Sequence, residues 1–167
     1  MRSLGLLILR VVTGGLLLAH GYTKLFGGRG RHAPEPLREI YGENFEKAVE
    51  EGGPEKMAAT LEQLDVPAPR VSAYLSGLAE FGGGLAFLLG FRTRTAAPVV
   101  LFNMATAIRK VHWDKGLYGE GGFEYPLLLS ASALTLMLDG PGAISLDAVA
   151  SAARHAGDGG DEEKIAA

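Results

Sequence analysis

Four stretches of the chain are almost free of charge: Leu4 to Ala19, Val71 to Phe91, Thr95 to Ile108 and Tyr125 to Leu138 contain only Arg10 and Glu80 as charged residues. The remaining charged residues crowd between and after them, so a mean hydropathy of only +0.15 conceals strongly apolar segments. The second stretch has the length of a membrane span, whereas the others fall short of the roughly 20 residues a span needs. Extended over their flanks they become Leu4 to Phe26, Thr95 to Val111 and Gly121 to Leu138. The charges so added, Lys24, Arg109, Lys110 and Glu124, stand near the ends, where long side chains reach the interface. The pattern predicts an all-α fold, a four-helix transmembrane bundle, with the core helices of a soluble bundle as the competing reading. A cleaved signal peptide fits the first stretch poorly, because it runs into His20, Tyr22 and Lys24 without a small-x-small cleavage pattern.

Between the first two apolar stretches the character changes. Residues 29–70 are polar and broken by Pro34, Pro36, Gly52-Gly53-Pro54 and Pro67-Ala68-Pro69. Leu37, Ile40, Tyr41, Phe45 and Val49 recur at helical spacing, as do Met57, Leu61 and Leu64, which predicts two short amphipathic helices in a hairpin. The many glutamates argue against tight attachment to anionic headgroups and favour a cap over one mouth of the bundle. Asp139-Gly140-Pro141-Gly142 ends the last helix, and a brief Leu146 to Ala153 segment leads to a flexible acidic tail at 154–167. The predicted organisation is one membrane domain at 1–153, with the hairpin at 29–70 as an insert, followed by the tail. Arg2, Arg92 and Arg94 place both termini in the cytoplasm by the positive-inside rule, while Arg29, Arg31, Lys110 and Lys115 count against that orientation.

Composition narrows the chemistry. With 167 residues there is room for one domain, and a formal charge of -3 with a pI near 5.8 leaves no basic footprint for nucleic acid. The absence of cysteine removes thiolate nucleophiles, CxxC redox pairs and thiolate-held metals, so any redox role uses a borrowed cofactor. There is no GxGxxG turn, phosphate loop or HExxH helix, and two isolated histidines, His20 and His112, are weak grounds for a haem or metal; no metal site is expected.

Charges at membrane depth are costly, which makes each of them a functional candidate. At 100° per residue, Arg10, His20 and Lys24 share one helix face with Gly14 and Gly21. Ser72, Ser76 and Glu80 form a second stripe, and Asn103, Thr106 and Lys110 a third. Three stripes imply an internal polar seam. Glu80 has no compensating charge on its own helix, and depth counted from the sequence pairs it with Arg10. That pair either fixes helix register alone or belongs to a site. In the functional reading Glu80 and His20 carry protons, and Arg10, Lys24, Asn103, His112 and Tyr125 help to hold a polar head such as that of a quinone. Arg109, Lys110, His112, Trp113, Lys115, Glu124 and Tyr125 cluster near one mouth, where the aromatics also suit an interfacial belt.

These residues carry a family resemblance. Leu9-Arg10 followed by His20-Gly21-Tyr22-Thr23-Lys24-Leu25-Phe26-Gly27, then Ala79-Glu80-Phe81-Gly82-Gly83 through Leu89-Gly90-Phe91-Arg92-Thr93-Arg94, then Asn103-Met104 with His112 and Glu124-Tyr125-Pro126, resemble the DoxX family of small bacterial membrane proteins over most of residues 4–147. The resemblance implies a four-helix bundle in the bacterial plasma (inner) membrane. It also implies, from some members, a membrane subunit of a quinone-linked oxidoreductase or of a complex that resists oxidative stress. The alternative is a non-enzymatic scaffold or small-solute permease. The implied partners are the lipid bilayer and a redox protein that supplies the thiol chemistry this chain lacks, with homo-oligomerisation open. The long charged hairpin sets this chain apart from the shortest relatives.

Overall fold

A computed structural model describes residues 2–154, all of whose regular elements are helical; Met1 and residues 155–167, and with them nearly all of the expected acidic tail, lie outside the described residues. The order is α1 (Arg2–Phe26), α2 (Glu35–Tyr41), α3 (Glu43–Glu51), α4 (Pro54–Gln63), α5 (Pro69–Leu89), α6 (Thr93–Ala107) and α7 (Glu124–Asp139). A π-helical turn (Ile108–His112) and a 3-10 turn (Trp113–Lys115) follow α6. Helices α1 and α5 are long and apolar enough to cross a membrane. α6 and α7, at 15 and 16 residues, are shorter than a span.

The outside of the bundle is apolar where a water-soluble bundle would be charged. Leu4, Ile8 and Val12 on α1, Leu75 and Leu78 on α5, Val99 and Phe102 on α6, and Leu128 and Leu138 on α7 are all more than half exposed. Such large apolar surface on every long helix suits lipid as the surrounding medium. The interior is a close-packed cluster of Leu6, Leu17, Phe87, Val100, Met104, Leu129 and Leu136 with Ala97 and Ala133.

Helices α1 and α5 run antiparallel in backbone contact. A Cβ added at Gly84 would lie 2.6 Å from the Leu18 nitrogen and 2.7 Å from the Gly14 oxygen, and one at Gly21 would collide with the Phe81 backbone. Small residues at these levels let the two helices approach as membrane helices do without a hydrophobic driving force. The contacts also fix height: Gly14 meets Gly84 and Leu88, and Leu25 meets Gly77.

Three helices replace the two expected in the hairpin, because Gly42 interrupts the Leu37 to Val49 run with φ +81° and separates α2 from α3. Their apolar faces bury Phe45 and Val49 against Ala19 and Tyr22 of α1, and the Tyr41 hydroxyl donates to the Gly15 carbonyl at 3.0 Å. The pair α2–α3 thus lies along the flank of α1. Only α4, packed on α5 through Ala58, Leu61 and Ala73, sits as a cap over the bundle interior.

A polar clamp closes the start of the hairpin. His32 Nδ1 lies 2.8 Å from Glu46 Oε1 and 3.3 Å from Glu50 Oε1, and the Ala33 N–H donates to Glu46 Oε2 at 2.9 Å. His32, and then the Ala33 amide, hold the Glu46 carboxyl below its ordinary value. A carboxyl depressed in the folded state stabilises above its unfolded value and stops doing so as pH falls through the folded one. The Ala33 amide resonance is therefore expected to titrate with a midpoint below the usual carboxylate range and to stay flat in Glu46→Gln. A midpoint at or above that range would mean that the clamp is not formed.

Candidate functional site

The seam expected from the three stripes is present, with different pairing. Glu80, 4% exposed in the middle of α5, accepts at Oε1 from Lys24 Nζ at 2.6 Å and from Asn103 Nδ2 at 3.0 Å. Lys24 Nζ also donates to Ser76 Oγ at 3.2 Å. The last turn of α1, the middle of α5 and the middle of α6 are thereby tied through one carboxylate oxygen. Each group reaches the centre because helical periodicity puts His20 and Lys24 four residues apart on one face, and Ser76 and Glu80 likewise.

Arg10 is not part of this cluster, which corrects the expected Arg10–Glu80 pair and the placing of Arg10 among the ligand-holding residues. About 21 Å of helix separates Arg10 from Lys24, and the antiparallel register puts Arg10 opposite Gly90, where its Nη1 lies against the glycine. There Arg10, 2% exposed, donates from Nη2 to the Ile144 carbonyl. Asp147, in the segment after α7, is the carboxylate whose charge acts on it. Asp147 also accepts from the Arg92 and Thr93 amides at 2.8 and 3.1 Å, capping α6. Nothing in the sequence analysis singled out Asp147; the available signal was a lone acid within the Leu146 to Ala153 segment.

Around Glu80 lies a cavity of about 580 Å³. Leu17, His20 and Lys24 of α1 line it, with Ser76 and Glu80 of α5, Asn103 and Met104 of α6, His112 of the π turn, and Tyr125 and Leu129 of α7. Met57 and Leu61 of α4, with Val66, form its roof, a contribution that the helical spacing of Met57 and Leu61 signalled only as an amphipathic face. Toward the lipid side the walls are Leu75, Val99 and Phe102, whose exposures are 61%, 53% and 77%.

Of the residues singled out from sequence, Glu80, His20, Lys24, Asn103, His112 and Tyr125 all line this cavity. The His20 and Tyr125 rings are 5.4 Å apart between centroids, tilted by 42°. His112 Nδ1 lies 2.7 Å from the Gly121 carbonyl, which only accepts, so Nδ1 carries the proton. Trp113 stacks on Phe123 at 5.6 Å at the start of α7. Two buried polar atoms at the cavity, Glu80 Oε2 and Tyr125 Oη, have no hydrogen-bond partner among the described residues. Buried polar atoms are rarely left so, and each such exception calls for an explanation.

The comparisons with known proteins agree with the family resemblance carried by these residues. The DoxX family model matches residues 5–113, which includes α1, the hairpin, α5, α6 and the Glu80 cluster. The chain is 40% identical over 81 residues to the protein named Inner membrane protein YqjF of Escherichia coli (strain K12); the match covers 42% of this chain and 55% of that protein. The chain thus spans about half the length of this curated relative. No solved structure matches the chain. With the family model covering well over half of its residues, the chain belongs to the DoxX family and is a membrane protein.

Proposed function

We propose that the protein is the quinone-binding membrane subunit of a redox system in the bacterial inner membrane, with its electron donor supplied by a partner protein. The observation that carries this reading is the buried Glu80 carboxylate, with one oxygen held by Lys24 and Asn103 and the other unpartnered, in the same cavity as an unpartnered Tyr125 hydroxyl. These groups meet in a cavity whose walls are otherwise largely apolar. A polar floor under apolar walls is the form that sites for lipid-soluble molecules take. The two orphaned atoms fit the ring hydroxyls of the reduced form, a hydroquinone, and Leu75, Val99 and Phe102 leave an apolar way out for its tail.

In this reading the chain crosses the membrane four times. α6 continued through the π turn gives a helical run over 93–112, about 30 Å long, close to the hydrocarbon thickness. α7 spans with Tyr125 at its interfacial start, and both termini face the cytoplasm. Residues 1–153 form one domain carrying the hairpin insert at 29–70.

A bound quinone would supply the capacity to take up two electrons and two protons. The chain's own groups orient the head and handle protons. Glu80 Oε2 accepts a proton from a hydroxyl of the head, Lys24 and Asn103 hold the carboxylate in place, and His20, its ring tilted against that of Tyr125, relays protons toward the mouth where His112 stands. The absence of cysteine assigns any thiol step to the partner.

The test is the quinone content of protein purified in mild detergent, compared with Glu80→Gln prepared in the same way. Prepared anaerobically, the wild type is expected to carry hydroquinone near one per chain, and the variant at least tenfold less with an unchanged elution profile. No quinone or hydroquinone in either well-folded protein would remove the reading.

A further inference from the structure

We infer that the cavity selects ligands whose head donates an O–H to Glu80 Oε2, a phenol or hydroquinone on an apolar tail, over carbonyl-only heads of the same size. The inference rests on the quinone reading only for the identity of the natural ligand; the selectivity follows from the count of donors and acceptors at the site.

The Glu80 carboxylate has no proton to give while it is paired with Lys24, and its Oε1 already takes two donors. Its Oε2 is buried with lone pairs unmatched. A quinone carbonyl or an ether oxygen brings further lone pairs to that atom and leaves it unmatched, whereas a hydroxyl satisfies it. Tyr125 Oη, which both donates and accepts, serves a second oxygen of either kind and therefore does not discriminate. Lys24 neutralises Glu80, and Lys110 adds positive charge to the lining, so a cationic amine gains nothing there. The favoured donor is neutral. Its route is lateral, since the exposed walls at Leu75, Val99 and Phe102 belong to the lipid-facing side. Sites that hydrogen-bond a ligand hydroxyl discriminate strongly against analogues without it, because the protein's own buried atom is then stranded.

The probes that isolate this are 4-octylphenol and its methyl ether, nearly matched in size and apolar surface and redox-inert, titrated calorimetrically into the full chain in nanodiscs. The phenol is expected to bind at least tenfold more tightly, with the same direction of preference for decylubiquinol over decylubiquinone under anaerobic conditions. In Glu80→Gln the preference is expected to fall below threefold, because the amide NH₂ donates to ether and carbonyl oxygens. Tyr125→Phe is expected to keep the phenol-to-ether ratio and to weaken decylubiquinol, which carries the second oxygen. Equal affinities for phenol and ether in the wild type overturn the inference, since a water molecule then satisfies Oε2. A phenol preference without any binding of quinone or hydroquinone upholds the inference and removes the quinone reading.

Discussion

Lys24→Met is expected to lower the stability of the folded protein by about 3–5 kcal/mol, the usual result of removing one member of a buried ion pair. The change leaves Glu80, whose side chain is 5% exposed, with Asn103 as its remaining donor. The lysine is more accessible than its partner, at 22%, so the loss falls chiefly on the stranded carboxylate. Adding Glu80→Met to Lys24→Met is therefore expected to restore most of the stability while abolishing ligand binding. The measurement is thermal unfolding of the four proteins of the double-mutant cycle in one detergent. If the double variant is no more stable than Lys24→Met alone, the carboxylate is not the group that suffers.

Arg10→Ala is expected to cost a comparable amount, about 3–5 kcal/mol, for different reasons: a large buried side chain is lost and its tie to the C-terminal segment disappears. Arg10 is the largest of the fully buried side chains, and its bond to the Ile144 carbonyl ties residues 143–149 to α1, while Asp147 ties them to the start of α6. Loss of the arginine is expected to raise amide exchange across that segment while leaving the Lys24–Glu80 pair in place. The folded fraction of Arg10→Ala should therefore bind 4-octylphenol with wild-type affinity. A large loss of affinity would show that the two ends of α1 act together.

The contrast between these two cations marks where sequence reading stops. Helical periodicity correctly gave the angular position of Arg10, His20 and Lys24, since 100° per residue is a property of the helix itself. It did not give their height against α5. That register is set where Gly14, Gly21, Gly77 and Gly84 let two backbones touch, and those contacts exist only once the helices are paired. Depth counted along the sequence therefore matches Arg10 with Glu80, whereas its level in the fold is Gly90. Likewise α1 and α5 were legible as long apolar runs, while the division of the hairpin into α2 and α3 depended on the single positive φ at Gly42. The roof made by Met57 and Leu61 was visible as an amphipathic face without any sign of what it covers. Six of the seven residues named as catalytic or ligand-holding line one cavity because polar residues in apolar helices have few places to go.

The glycine seam has a consequence for how such a site trades its contents. Two helices joined backbone to backbone have no side-chain layer between them that could yield, so α1 and α5 behave as one stiff plank to which Lys24 and Glu80 are bolted at fixed spacing. The compliant wall is the opposite one, where α6 meets the cavity with long, loosely surrounded side chains at Phe102 and Lys110 and then loosens into a π turn. Any widening for passage therefore falls to the side between Leu75 of α5 and Val99 and Phe102 of α6, away from the α1–α5 seam.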